Sequence, residues 1–160
     1  MTLYQNRFRI ESTRLRQWDY HLRAWYFVTI CTYEKAHIFG EIINGEVQLS
    51  RIGRLAESDL RRLGKHYENV QLDSHVVMPN HLHAIVMIDG DHCHSSNPNK
   101  LPSPNGISPA AGSLSTIIRS YKAGVTRSCH ALGLKQSVWQ PRFYDSILRG
   151  DAVISADLPG

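Results

Sequence analysis

Residues 74–89 have the sequence SHVVMPNHLHAIVMID, which predicts two strands joined by a tight turn at Pro79-Asn80. Valine and isoleucine on both sides of that turn favour β-structure. Side chains alternate along a strand, so His81 and His83 are expected on one face, about 6–7 Å apart. The spacing makes these two histidines candidate ligands of one metal ion. The opposite face is then apolar and consists of Leu82, Ala84, Val86 and Ile88.

Two histidines separated by one residue are a weak motif by themselves. A half-exposed pair on an edge strand needs no ligand, so an unliganded pair is the alternative interpretation. The motif alone leaves both interpretations open, and the rest of the chain has to decide between them.

The composition predicts one soluble globular domain. The chain has 160 residues, of which 42% are hydrophobic and 20% are charged, which is enough for a single core. The first residues lack the apolar segment of a signal peptide, and no apolar run reaches the length of a membrane span. Three widely spaced cysteines argue against a disulfide framework and favour a reducing cytosol. We therefore expect a cytoplasmic protein that does not bind membranes.

Basic residues concentrate in residues 1–23 and 100–149, whereas the middle of the chain is nearly balanced in charge. Aromatic residues such as Tyr20, Tyr121 and Trp139 lie among them. Basic side chains bind phosphates and aromatic rings stack on bases, so this pattern favours a nucleic-acid partner. A surface that only confers solubility is the alternative. The candidate DNA-binding residues are Arg14, Arg16, Arg119, Lys122, Arg127, Arg142 and Arg149.

The remaining pattern predicts helices packed on strands. Residues 25–33 are rich in aromatic and β-branched residues and predict a buried strand, and Asn44-Gly45 predicts a hairpin within 37–49. Ser50 is placed to cap a helix, and the segment 137–149 predicts a turn and a last strand. The element order indicates an α+β domain with a mainly antiparallel sheet. The helices have their apolar positions at Ile52, Leu55, Ala56, Leu60, Leu63 and Tyr67, and at Leu114, Ile117, Ile118, Tyr121 and Val125.

Residues 90–112 break this pattern with many prolines, serines and asparagines. They predict a flexible surface loop inside a single domain of residues 1–160. The loop includes Asp91, His92, Cys93 and His94, but a mobile loop without a partner cluster is not expected to form a functional metal site.

The chain contains RIESTRLRQWDY at 9–20, WYFVTICTY at 25–33, VVMPNHLHAIV at 76–86 and VWQPRFYDSILR at 138–149. These segments resemble the single-tyrosine HUH transposases, the group that includes the REP-associated tyrosine transposases. The hairpin FGEIINGEVQLS at 39–50 also fits, so the resemblance covers nearly the whole chain in the right order. It implies a ferredoxin-like HUH fold, in which helices pack on a mainly antiparallel sheet.

The resemblance also implies a DNA transposase that cuts and rejoins single-stranded DNA with hairpin ends. His81 and His83 match the family's histidine–hydrophobic–histidine motif and would bind a divalent cation, Mg²⁺ or Mn²⁺, that polarises the scissile phosphate. Imidazole ligands favour Mn²⁺ over Mg²⁺. A tyrosine would attack the phosphorus to give a 5′-phosphotyrosine intermediate. Such a protein would act as a monomer or a homodimer.

The end of the chain departs from the family pattern. The family places its nucleophilic tyrosine on a helix after the last strand, together with a further polar metal ligand, but no tyrosine follows Tyr144 here. Residues 150–160 are acidic and match no such helix. The expectation is a truncated copy with impaired catalysis, in which the family's nucleophilic tyrosine is absent and Tyr144 is a candidate substitute. Tyr121 falls on an apolar helix face, where a core role is expected.

Two other functions stay open. The chain could be a catalytically inactive remnant that binds single-stranded DNA, or a metal-dependent phosphodiesterase that uses water as the nucleophile. The second alternative lacks a recognisable carboxylate cluster in the sequence.

Overall fold

The structure, a computed structural model, describes residues 23–89 and 112–148. Along the chain these residues form β1 (Ala24–Cys31), β2 (Gly40–Ile43), β3 (Glu46–Leu49), α1 (Arg51–Arg61), α2 (Leu63–His66), β4 (Val70–Met78), β5 (His81–Ile88), α3 (Leu114–Ala131) and β6 (Tyr144–Leu148). The expected loop at 90–112, apart from Gly112, and the expected tail at 150–160 lie outside the described residues, as do Arg14, Arg16 and Arg149.

An antiparallel sheet with the strand order β4-β5-β1-β6 is the framework of the fold. The first two helices connect β1 to β4 by way of the β2–β3 hairpin, and α3 connects β5 to β6. This is the split arrangement of strands and helices found in ferredoxin-like folds, with an added hairpin. The predicted α+β class with a mainly antiparallel sheet is confirmed.

The two faces of the sheet differ in burial because side chains alternate along each strand. On one face, Tyr26, Val28, Leu82 and Val86 are fully buried in a core that also contains apolar residues of α1 and α3. The other face carries half-buried side chains. We call it the histidine face, and on the two central strands it consists of Trp25, Phe27, Thr29, Cys31, His81, His83, Ile85 and Met87.

Local signals in the sequence account for the hairpin and the start of α1. Asn44 and Gly45 both have positive φ, 53° and 81°, as a two-residue turn between β2 and β3 requires. The Oγ of Ser50 accepts a hydrogen bond from the amide of Gly53 at 3.0 Å, so Ser50 caps α1 as predicted. The same hydroxyl donates to the carbonyl of Ile38 at 2.7 Å, which ties the helix start to the segment before the hairpin.

The predicted helix after Ser50 is wrong in its length. It was expected to reach Tyr67, but α1 ends at Arg61 and the single turn of α2 follows. Arg62 lies between them with ψ near −5°, and its amide bonds to carbonyls of the last turn of α1. Leu63, directly after the break, is still buried in the core. Tyr67 has an extended backbone conformation and is half-buried.

The first strand also ends earlier than predicted, at Cys31 instead of Tyr33. Thr32 is fully buried, and its amide donates to the carbonyl of Asn80 at 3.0 Å, while its hydroxyl is shared between the carbonyls of Ala36 and Asn80 at 2.8 and 2.9 Å. These bonds turn the chain out of the sheet at the same end where β4 passes into β5.

Candidate metal and DNA site

The turn between β4 and β5 is held from two sides. The amide of Thr32 donates to the carbonyl of Asn80, and the amide of Phe39 donates to the carbonyl of Pro79, both at 3.0 Å. Since Thr32 and Phe39 are both fully buried, the turn is attached to the core and fixes where β5 begins. His81 is the first residue of that strand.

His81 and His83 lie side by side on the histidine face, as their spacing predicted. Their ring centroids are 4.8 Å apart and the rings are inclined at 74°. Both side chains are half-buried, and the residues between and after them, Leu82 and Ala84, point into the core. Two imidazoles this close can bind the same cation.

Each imidazole makes a hydrogen bond through its Nδ1 atom. The Nδ1 of His81 lies 2.7 Å from the amide oxygen of Asn80, and the Nδ1 of His83 lies 2.8 Å from the hydroxyl of Thr29. Phe27 stacks on the ring of His83, with centroids 5.2 Å apart and an interplanar angle of 22°. The rings are therefore oriented by neighbours on β1 and by the turn.

Burial also favours the uncharged form of both rings. It lowers the pKa of His81 below the usual value of 6.5, and burial together with the neighbouring His81 lowers the pKa of His83. Neutral imidazoles bind metal ions without first losing a proton. Both histidines are therefore in the protonation state that a ligand needs at neutral pH.

The donor set fits part of a metal site. Two neutral imidazoles suit Mn²⁺ and other transition metals. Among residues 23–89 and 112–148, no group of three or more histidine, cysteine or acidic side chains is arranged to hold a metal ion. This part of the chain therefore supplies two ligands, and further ligands would be water, substrate oxygen atoms or groups elsewhere in the chain.

Tyr144 lies in the same row of the sheet as one of the histidines. It is paired with Thr29, and Thr29 is paired with His83, so the three side chains share the histidine face. Neighbouring strands are about 5 Å apart, which places the backbone of Tyr144 roughly 10 Å from that of His83. The tyrosine side chain is 56% exposed.

Tyr121 has a different role. It is buried in the core, and its hydroxyl donates to the carbonyl of Ala56 at 2.9 Å. Burial, with Asp59 and Cys129 adding to it, raises the pKa of this tyrosine well above its usual value. A buried, protonated phenol is not a nucleophile, so the expected core role is confirmed.

The structure divides the described basic candidates into two groups. Arg119, Arg127 and Arg142 are exposed. Lys122 is half-buried, and its ammonium donates to the carbonyls of Gln140 and Arg142 at 2.7 and 2.9 Å. Lys122 thus holds the segment before β6, a role that the sequence analysis did not predict.

The sequence did not predict the role of two residues beside the histidines. Asn80 and Thr29 orient the histidines, but Thr29 could be found only from the register between β1 and β5. A second set of exposed basic side chains, outside the candidate DNA-binding residues, lies on α1 and α2 and between them, although Glu57 and Asp59 pair with two of its members at 3.0 and 3.9 Å. The basic side chains of this set are Arg51, Arg54, Arg61, Arg62 and Lys65.

An uncharacterised protein of Haemophilus influenzae is 34% identical to this chain over 146 residues, which are 88% of this chain and 79% of that protein. No protein-family profile matches the chain.

None of the helices in the described ranges is both long enough and apolar enough to cross a membrane.

Two solved structures share the fold. One is a REP-associated tyrosine transposase bound to a REP hairpin, with a TM-score of 0.50 and 19% identity over 85% of this chain. This chain spans 63% of the length of that structure. The other is a candidate transposase from Deinococcus radiodurans, with a TM-score of 0.52 and 12% identity, covering 86% of each chain.

Proposed function

Because the chain belongs to one family with the Haemophilus influenzae protein and has the fold of a REP-associated tyrosine transposase, we propose that it acts on DNA as a single-tyrosine HUH transposase. Its substrate would be single-stranded DNA with hairpin ends, and it would cut and rejoin the strand with the help of a divalent cation, Mg²⁺ or Mn²⁺. The fold alone does not fix an activity, so the proposal depends on the site.

The observation that carries the proposal is the pair of neutral imidazoles on the histidine face. His81 and His83 have ring centroids 4.8 Å apart, and each uses Nδ1 for a hydrogen bond to its own neighbour. A bound divalent cation would supply Lewis-acid polarisation of the scissile phosphate.

The proposed reaction needs a tyrosine and a leaving 3′-oxygen. The Oη of a tyrosine attacks the phosphorus and loses its proton, the bond from phosphorus to the 3′-oxygen breaks, and that oxygen leaves as a hydroxyl group. The phosphodiester energy is kept in the phosphotyrosine bond, so no nucleotide cofactor is consumed. Among the described residues, Tyr144 is the candidate nucleophile because it is exposed and shares the face and the row of His83.

Exposed arginines are proposed to hold the DNA backbone. Arg119 and Arg127 on α3 and Arg142 before β6 are free to bind phosphates, with Arg14, Arg16 and Arg149 as further candidates from the sequence. The ammonium of Lys122 is engaged with backbone carbonyls, so we assign it no DNA contact.

A protein that binds single-stranded DNA without cutting it is the second candidate. It is favoured because, among the described residues, no group of three or more histidine, cysteine or acidic side chains is arranged to hold a metal ion. Such a protein would keep the arginine contacts and lack the covalent step.

The proposal is tested with a 3′-labelled, hairpin-bearing single-stranded oligonucleotide in the presence of Mn²⁺, because the proposed tyrosine becomes bonded to the fragment that carries the original 3′ end. We expect the wild-type protein to form a covalent protein–DNA product that survives denaturing electrophoresis. His81→Ala should abolish it because one of the two imidazole ligands is lost, and Tyr144→Phe should abolish it if Tyr144 is the nucleophile.

Other results lead to other assignments. Binding of the oligonucleotide without a covalent product would contradict the transposase and support the second candidate. Cleavage without a covalent product would indicate hydrolysis by water. Arg127→Gln is the matched control, since it changes an exposed arginine on α3, which packs on the core face and not on the histidine face, and should weaken binding without removing the product.

A further inference from the structure

We propose that Asn80 and Thr29 are positioning residues that select the tautomer of both histidines, so that His81 and His83 present their Nε2 atoms to one cation. This inference rests on the proposed function for the presence of a metal, and concerns how the protein prepares its ligands. Neither residue belongs to the histidine–hydrophobic–histidine motif.

The backbone of Asn80 is held in place by hydrogen bonds that do not involve His81. Its backbone carbonyl accepts a hydrogen bond from the amide of the fully buried Thr32, and the adjacent Pro79 carbonyl accepts one from the amide of Phe39. The turn therefore cannot move without breaking bonds to the core. The side-chain oxygen of Asn80 is held in place 2.7 Å from the Nδ1 of His81.

An amide oxygen carries no proton, so the Nδ1 of His81 must donate this bond. A neutral imidazole has one N–H, which leaves the Nε2 of His81 with a lone pair. In metal sites the ring nitrogen that does not bind the metal is commonly held by such an outer partner, which fixes both the ring orientation and the tautomer.

Thr29 has the corresponding position for His83. The two residues are directly paired across β1 and β5, and the Oγ1 of Thr29 lies 2.8 Å from the Nδ1 of His83. The hydroxyl can accept from Nδ1–H, and Phe27 stacks against the ring at 5.2 Å, which limits its rotation. The same ring nitrogen is thus engaged in both histidines, by partners on different parts of the chain.

The consequence is a site prepared for a cation before it binds. Both free lone pairs are on Nε2, and the two rings are 4.8 Å apart between centroids. Loss of an outer partner typically weakens metal binding by about 10–100-fold. Thr29→Val and Asn80→Leu should each show an effect of that order, while Thr29→Ser and Asn80→Asp keep an oxygen acceptor and should restore most of the affinity.

The test uses the full chain without DNA. Long-range proton–nitrogen NMR spectra of the metal-free protein, assigned with His81→Gln and His83→Gln, report which ring nitrogen carries the proton. We expect Nδ1–H in both histidines of the wild type and a mixture of tautomers in Thr29→Val and Asn80→Leu. Isothermal titration calorimetry with Mn²⁺ should show that these two variants bind Mn²⁺ about tenfold or more weakly than the wild type.

Thermal unfolding of each variant, and the rescue variants Thr29→Ser and Asn80→Asp, separate a loss of positioning from a loss of fold. Nε2–H tautomers in the wild type would overturn the inference, as would unchanged Mn²⁺ affinity in both Thr29→Val and Asn80→Leu. If the wild type binds no Mn²⁺, the metal in the proposed function fails as well. If the wild type binds Mn²⁺ but forms no covalent DNA product, the proposed function fails while the positioning role stands.

Discussion

Tyr121 and Tyr144 show how strongly the environment of a single residue decides its chemistry. Tyr121 is buried, donates to the carbonyl of Ala56 and has a raised pKa, whereas Tyr144 is 56% exposed on the histidine face. The apolar spacing of α3 was enough to predict the first environment. The second required the pairing of Tyr144 with Thr29, which no local pattern encodes.

Tyr121→Phe is expected to lower the free energy of unfolding by about 0.5–1.5 kcal/mol, because the buried hydrogen bond from its hydroxyl to the carbonyl of Ala56 is lost. Tyr144→Phe should change it by less than about 0.5 kcal/mol, since its hydroxyl is on an exposed side chain. Urea unfolding of both variants measures the difference. Equal stability of the two variants would contradict the assignment of Tyr121 to the core.

The pH dependence of stability provides a second readout of the same substitution. The pKa of Tyr121 is raised in the folded state, so folding favours the protonated phenol. That contribution is complete below the unfolded value near pH 10 and is lost as the pH rises above it. The wild type should therefore lose stability more steeply above pH 10 than Tyr121→Phe does.

At the scale of secondary structure elements, short sequence patterns predicted the features that depend on neighbouring residues. Asn44-Gly45 gave the hairpin, Ser50 gave the start of α1, and residues 70–78 and 81–88 gave the strand pair with both histidines on one face. The break at Arg62 was missed because Leu63 continues the apolar spacing of a helix across it. Apolar spacing reports which side chains are buried and does not report the residue at which a helix is interrupted.

Lys122 belongs to this scale because it connects two elements. Its ammonium on α3 holds the carbonyls of Gln140 and Arg142, and its own carbonyl accepts a hydrogen bond from the indole of Trp139 at 3.0 Å. These bonds fix the segment that leads into β6 and Tyr144. From the sequence, Lys122 is a candidate phosphate ligand because it is a basic residue on the polar side of a helix. Its actual partners are determined by the tertiary fold.

Lys122→Met should lower the free energy of unfolding by about 1–3 kcal/mol, since the carbonyls of Gln140 and Arg142 lose a charged donor. Arg119→Gln, on the exposed side of the same helix, is the matched control and should change stability by less than about 0.5 kcal/mol. In DNA binding Arg119→Gln should have the larger effect of the two substitutions. It should reduce the salt dependence of the DNA affinity by about one phosphate contact. A stable Lys122→Met variant with reduced salt dependence would show that Lys122 binds DNA instead.

At the scale of the whole molecule, the order of the strands brings the candidate site together. The arrangement β4-β5-β1-β6 places His83, Thr29 and Tyr144 in one row, although they come from three separate parts of the chain. Composition and periodicity predicted an α+β domain but not this order, because pairing between distant strands leaves no local signal. The resemblance of the sequence segments to the HUH transposases supplied the fold, and the fold comparison confirms it.

The claim shared by both candidate functions is that the protein recognises single-stranded DNA with a hairpin. It is tested most directly by measuring the affinity for a hairpin-bearing single strand and for a blunt duplex of the same base composition, at one salt concentration and with Mn²⁺ present. We predict that the hairpin-bearing single strand binds more tightly. Equal binding, or a preference for the duplex, would contradict the account.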